Sequence, residues 1–347
     1  MNESKLLKLT KVDGILLFSS DSCRDVNFDY FSDFRKPTYS FYLFGKKSIL
    51  ITSSIDYERA LNETNKDVIR LKDYKYNLRK ILKEFFRGKK IGIVANKLPI
   101  SIAKSLRGYK LIDISDNANK IRAIKSKKEI NLIKKSCEIA NKGIDFIKKN
   151  LNQNETEKEF IENLHNYLKK FNIEGFAFET IMASGKRSAF IHPYPCLSKT
   201  KISKGLGLID FGVIYKGYCS DVTVPFSFGK LNTKQEKIVE AVIDCYNFCR
   251  NILKENIRAK EIFKEAEKFL KFRGFELKHG LGHGIGLEVH DSPSLSFESE
   301  DVLRKNMVIT LEPGVYEVDL GGLRIENDFV IKGKNPRILT KSKYLDF

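Results

Sequence analysis

Four acids stand where apolar strands normally exclude them. Two of them, Asp210 and Asp221, lie in Leu208-Ile209-Asp210-Phe211-Gly212-Val213-Ile214-Tyr215-Lys216-Gly217-Tyr218-Cys219-Ser220-Asp221-Val222-Thr223-Val224. This stretch reads as two β-rich arms joined by a tight hairpin at Tyr215-Lys216-Gly217. With Tyr215-Lys216 as the loop pair, the two carboxylates become direct cross-strand partners, their Cβ atoms about 5 Å apart. Carboxylates that close repel each other, and one pKa rises. One or two divalent cations between them would remove the conflict. The other two acids are Glu312, which ends Met307-Val308-Ile309-Thr310-Leu311 before Pro313-Gly314, and Glu326 in Leu323-Arg324-Ile325-Glu326-Asn327. Strand alternation puts Arg324 and Glu326 on one face, so the guanidinium can brace a metal-bound carboxylate.

Four of the five histidines fall at 192, 279, 283 and 290. His283 sits inside Gly280-Leu281-Gly282-His283-Gly284-Ile285-Gly286, where glycines let backbone pack closely around an imidazole. Gly-rich loops also cradle phosphates, but no Lys-Ser/Thr follows this run, which argues against a P-loop or dinucleotide site. His192 lies in the Pro-restrained loop His192-Pro193-Tyr194-Pro195. His165, within a helical pattern and without a ligand type at helical spacing, reads as a surface or packing residue. One His with four carboxylates is an oxygen-rich set. It suits a pair of Mn, Co, Fe or Zn ions better than a single structural zinc. Two bridging acids can hold such ions about 3.5–4 Å apart, with a hydroxide between them ready to attack a carbonyl.

The elements that must position these groups divide into two sets. Over about residues 1–118 short strands (12–18, 41–44, 48–52, 90–95, 111–114) alternate with helical patterns at 77–86 and 101–106. This predicts a small α/β domain without histidine, read as a gating or dimerisation module. Asp116-Asn117-Ala118-Asn119 is expected as a polar connector. The second domain, 119–347, should carry amphipathic helices over 125–149, 156–171, 234–255 and 260–272. Thr156 with Glu159 forms a capping box. Strands are expected at 176–185, in the two arms around 215–217, and at 307–312, 314–318 and 323–331. The acidic pairs Asp210/Asp221 and Glu312/Glu326 hint at a duplicated half.

The chain has 347 residues and a formal net charge of +18, from 62 Lys and Arg against 44 Asp and Glu. The densest basic run, 66–90, alternates with Leu, Ile, Tyr and Phe, as a solvated helix face does, so nucleic acid is not expected as the main partner. No stretch approaches the roughly 18 apolar residues a membrane span needs. Six cysteines without paired spacing, and a start without an apolar leader segment, lead to a cytoplasmic expectation.

At these residues the sequence resembles the pita-bread metallopeptidase family: methionine aminopeptidases, Xaa-Pro aminopeptidases and Xaa-Pro dipeptidases (prolidases), with creatinase as a relative. The carrying motifs are Ile209-Asp210-Phe211-Gly212, Ser220-Asp221, Gly282-His283-Gly284-Ile285-Gly286, Leu311-Glu312-Pro313-Gly314 and Arg324-Ile325-Glu326. The resemblance implies an α+β protein: a C-terminal pita-bread domain, pseudo-twofold around a six-stranded sheet, after a smaller N-terminal α/β domain of the proline-directed branch. It implies two divalent ions, Mn or Co foremost. Asp221 and Glu326 would bridge both, Asp210 would hold one, and His283 with Glu312 the other. Glu312 would also shuttle a proton. His192 and His290 would orient substrate and stabilise the oxyanion, while His279 reads as structural. The implied activity is hydrolysis of the bond between an N-terminal residue and proline by a homodimer. In many prolidases an Arg four residues after the second His grips the dipeptide carboxylate; Ser294 stands there in this chain. That leaves longer Xaa-Pro peptides open. Two alternatives stand beside this one, an inactive pita-bread protein that binds nucleic acid or ribosomes, and a creatinase-like C–N hydrolase.

Overall fold

The strand Gly14–Ser20 is buried along its whole length, and alternate residues enter different cores. Leu16 and Phe18 join an apolar cluster with Phe41, Leu43 and Ile51. Ile15 and Leu17 join a second with Tyr42, Phe44 and Leu50. Side chains alternate faces along a strand, so one that is apolar on both faces must be covered on both. This strand lies inside a six-stranded sheet ordered Asp67–Arg70, Ser48–Thr52, Tyr39–Phe44, Gly14–Ser20, Lys90–Ile93, Lys110–Asp113. The computed structural model describes residues 2–347, and the chain divides into two compact units, 1–122 and 123–347. The sheet belongs to the first. Residues 116–119 of this unit are not a connector but part of the helix Ser115–Ala123. Ile114, Ala118 and Ile121 are buried together, and this i, i+4, i+7 stripe was hidden by the polar residues between them.

In the second unit two helix pairs each cover one set of strands. Lys127–Asn150 and Glu157–Lys169 begin at capping boxes, Ser126 with Glu129 and Thr156 with Glu159. Their apolar faces, including Ile139, Ile144, Phe160 and Leu164, pack with Ile209, Phe211, Val222 and Val224. Thr233–Ile252 and Ala259–Phe272 pack Val242, Cys245, Ile262 and Ala266 with Ile309, Leu311, Leu323 and Phe329. The acids thus ride on two strand sets with separate apolar supports.

These strands do not form one six-stranded sheet. Their hydrogen bonding separates into ladders of three, four, five and two strands. The expected strand 323–331 is two, Gly321–Arg324 and Asn327–Val330. The expected strand 176–185 is likewise Gly175–Phe176 and Ile181–Ser184. The breaks fall at acids. Asp221 lies between Tyr218–Cys219 and Val222–Phe228. Glu312 lies between Val308–Leu311 and Gly314–Glu317, and Glu326 sits in the gap after Arg324. A residue outside the ladder is released from strict alternation, so its side chain can turn toward a shared point.

The acidic hairpin turns one residue later than expected. Tyr215 pairs with Tyr218 and Ile214 with Cys219, which makes Lys216-Gly217 the loop pair. Both have positive φ, 47° and 83°, the requirement of a type I′ turn whose twist suits a two-residue hairpin. Asp210 therefore faces Thr223, not Asp221. The direct cross-strand pairing of the two aspartates is wrong, and the carboxylates meet through the break at Asp221 instead. Replacing Gly217 with Ala should lower the unfolding free energy by about 1–2 kcal/mol, and Gly217→Asn by less, because Asn tolerates the left-handed region. Urea unfolding of the full chain followed by circular dichroism measures both.

Candidate metal centre

The five expected ligands are brought together from separate elements. The Nε2 of His283 lies 3.5 Å from Asp221 Oδ2 and 3.5 Å from Glu312 Oε1. One ligand atom each of Asp221, His283 and Glu326 falls within 4.8 Å of the others. Asp210, Asp221 and Glu326 are buried, while His283 and Glu312 remain partly exposed. Asp210 adds its negative field to that of Glu312 on Glu326 and of Glu326 on Asp221.

The donor set fits divalent cations. Asp210 Oδ1, Asp221 Oδ1 and Glu326 Oε1 are buried and accept no hydrogen bond among the described residues. Burial first, and then the neighbouring acids, pushes the carboxyls of Asp221 and Glu326 well above the usual range. Glu312 is pushed up to about 8 by burial, against the pull of Arg324 and with a further push from Asp210. His283 moves the other way, down to about 4, because burial and the neighbouring His290 disfavour its charged form. The neutral ring keeps its proton on Nδ1, which lies 3.0 Å from the Gly284 carbonyl. The Nε2 lone pair is then turned toward carboxylate oxygens. Acceptors facing acceptors in a buried place repel, and a cation between them converts the repulsion into coordination.

Arg324 braces the site from inside the fold, though through a different acid than its strand register suggested. Its Nη2 donates to Asp210 Oδ2 at 2.6 Å, and no contact to Glu326 is direct. Its Nε donates to Thr223 Oγ1 at 3.0 Å, and that hydroxyl donates to Glu326 Oε2 at 2.8 Å. Its Nη1 donates to the Tyr316 hydroxyl at 2.7 Å, which in turn meets His279 Nε2 at 3.0 Å. Asp328 supports Asp221 by accepting its backbone N–H at 3.1 Å. Thr223, Tyr316 and Asp328 were missed from sequence. Thr223 had a signal, lying two residues from Asp221 on a strand pattern; Tyr316 had none.

The remaining histidines separate by place. His290 packs edge-on against His283, ring centroids 4.5 Å apart. His192 is exposed, and its field reaches both His279 and His290. His165 is stacked on Phe176, centroids 3.7 Å apart, and bonded to Thr180 Oγ1 at 2.9 Å, a packing residue as expected. Ser294 is exposed, opposite His283 in the strand register, and bonded to Ser296 Oγ at 3.1 Å. No helix among the described residues is long and apolar enough to cross a membrane.

Known proteins share this architecture. The model of metallopeptidase family M24 matches residues 131–333, and that of the creatinase/prolidase N-terminal domain matches 4–124. An Xaa-Pro dipeptidase of Pyrococcus horikoshii is 35% identical over 312 residues, covering 86% of this chain and 85% of that protein. Among solved structures, an X-Pro aminopeptidase from Thermotoga maritima superposes with a TM-score of 0.87 at 30% identity, covering 99% of this chain and 100% of that one. A prolidase from Pyrococcus furiosus gives 0.87 at 31%, covering 98% and 99%.

The raised carboxyls make the metal-free protein pH-sensitive. Glu312 keeps its proton up to about 8 in the folded chain but loses it near 4.5 when unfolded. Between these values the folded state binds more protons, so its stability falls as pH rises through that window. With a chelator present, the melting temperature should drop as pH climbs from about 4.5 to about 8, and added Mn or Co should remove the trend. Thermal unfolding across this pH range, with and without metal, measures it.

Proposed function

We propose, because this chain belongs to metallopeptidase family M24, that it is a metal-dependent exopeptidase hydrolysing the peptide bond between an N-terminal residue and proline. The observation that carries this reading is the meeting of Asp221, His283 and Glu326 within 4.8 Å, with Glu312 and the Arg324-held Asp210 beside them. The substrate is a dipeptide or longer peptide with proline second. Two divalent ions, Mn or Co with Zn or Fe as alternatives, would be held by Asp210, Asp221, His283, Glu312 and Glu326. Bound there, they would polarise the scissile carbonyl and make water acidic enough to attack it.

The chain's own groups supply the rest. Glu312 takes a proton from the attacking water and delivers it to the proline nitrogen as that bond breaks. His290 donates a hydrogen bond to the carbonyl oxygen as negative charge develops on it. His192, on its restrained loop, orients the peptide. Arg324 keeps Asp210 fixed, so the ligand need not reorganise during turnover. Ser294 cannot form the bidentate clamp that an Arg would offer a dipeptide carboxylate. The cytoplasm, where its six free thiols stay reduced, is the proposed compartment. A homodimer is the proposed assembly, with no nucleic-acid or membrane partner.

Hydrolysis of Xaa-Pro against Xaa-Pro-Yaa peptides, with Mn or Co added, tests the activity. Asp221→Ala should abolish turnover while circular dichroism stays native, and retained turnover would overturn the assignment. Glu312→Gln should lower kcat by roughly 10²–10⁴-fold. Ser294→Arg should lower KM for dipeptides more than for tripeptides; an unchanged KM would mean the carboxylate is held elsewhere.

A further inference from the structure

Among the described residues of the 123–347 unit, two cationic side chains are buried, Arg324 and Lys125. Arg324 is explained by Asp210. Lys125 lies outside the set of five candidate ligands, and burying an ammonium costs several kcal/mol unless it is paired. Its Nζ lies 3.4 Å from Asp291 Oδ2, and the two side chains are 1% and 2% exposed. Asp291 directly follows His290 and stands opposite Gly284 in the strand register, where that register shifts between His283 and Gly284. Asp291 therefore adjoins both histidine-bearing segments, following His290 in sequence and standing opposite the residue after His283 at the register shift.

Two further observations point the same way. A Cβ at Gly286 would lie 2.7 Å from Asp291 Oδ2 and 3.3 Å from Lys125 Cε, so the loop between the histidines is wrapped around this pair without room for a side chain. The end of the strut away from the loop is anchored. Lys125 N–H donates to the Asn306 carbonyl at 3.1 Å, Ile124 bridges Met307, and Ser126 caps the helix Lys127–Asn150. The Gly286 carbonyl also accepts from Cys219 N–H at 2.8 Å, which ties the loop to the strand leading into Asp221.

We propose that Lys125 and Asp291 are positioning residues for the proposed peptidase reaction, a buried charged strut that sets the orientation of His283 and His290. It rests on the reading of this site as a metallopeptidase. The strut acts through direction, not through contact with substrate. The ammonium fixes Asp291, whose Oδ1 also accepts the Ser292 N–H at 2.9 Å, and Asp291 fixes the backbone from which both imidazoles project. Losing the charge pair would let the histidines tilt while the surrounding core persists.

Four variants of the full chain, Lys125→Met, Lys125→Arg, the double variant Lys125→Met/Asp291→Asn, and Gly286→Ala, test the strut by two readouts. The first is Co²⁺ affinity by calorimetry together with the visible spectrum of the Co²⁺ form, which needs no turnover. The second is kcat and KM for an Xaa-Pro substrate. Single loss of one partner leaves a buried charge and is expected to lower the melting temperature; the double variant removes both charges and should recover most of it. The strut predicts that the refolded double variant still binds Co²⁺ about 10-fold more weakly, with a changed spectrum, and loses about 10–100-fold in kcat with KM within about 3-fold. Gly286→Ala should show the same pattern, and Lys125→Arg should recover part of the affinity. A double variant with wild-type Co²⁺ affinity, spectrum and kcat would overturn the strut and leave the pair as packing only. If the wild type itself hydrolyses no Xaa-Pro peptide, the peptidase reading fails, while the Co²⁺ readout still decides the strut.

Discussion

Repulsion between buried carboxylates is the constraint on which this structure turns. Asp210, Asp221 and Glu326 each keep an oxygen with no hydrogen-bond donor, and His283 turns a lone pair toward the same place. No arrangement of these groups alone is comfortable at low dielectric. Protons relieve part of the conflict, as the raised carboxyls show. Divalent cations relieve it more fully. The fold is thus organised to keep a local conflict in place, and the helix pairs and apolar clusters supply the stability that allows it.

The strand ladders show how the conflict is held. Continuous strands would have set the acids at fixed alternating directions. Breaks at Asp221, Glu312 and Glu326 free them from that alternation. Arg324 then links what the breaks separate. One guanidinium bonds Asp210, Thr223 and Tyr316, and Thr223 passes the constraint to Glu326. A planar fork with several donors suits this task, because each bond restricts the direction of the others. A lysine would supply the charge without the geometry.

Much of this could be read along the chain. The helices at 127–150, 157–169, 233–252 and 259–272 follow from apolar periodicity, and the second also from its capping box, Thr156 with Glu159. The alternation of short strands with helical patterns likewise announced the α/β character of the first unit. The helix Ser115–Ala123 was missed because a short stripe of three apolar residues is diluted by Asp, Asn and Lys. The hairpin register was misjudged because Lys216 accepts a positive φ that sequence alone assigns more readily to Gly217 only.

Residue chemistry, by contrast, was settled before folding. Acids in apolar strands and an imidazole among glycines are improbable without a function, since each costs stability where it stands. Side-chain type and local spacing therefore singled out a candidate donor set and the chemistry it would suit. Tertiary structure alone decided which atoms face one another. That Asp210 meets Arg324 and opposes Thr223, that Tyr316 closes the network, and that Lys125 reaches Asp291 across 166 positions of the chain are all contacts between distant segments. Their partners are chosen by ladder register and helix packing, which sum many weak interactions over the whole unit and leave no mark at any single position.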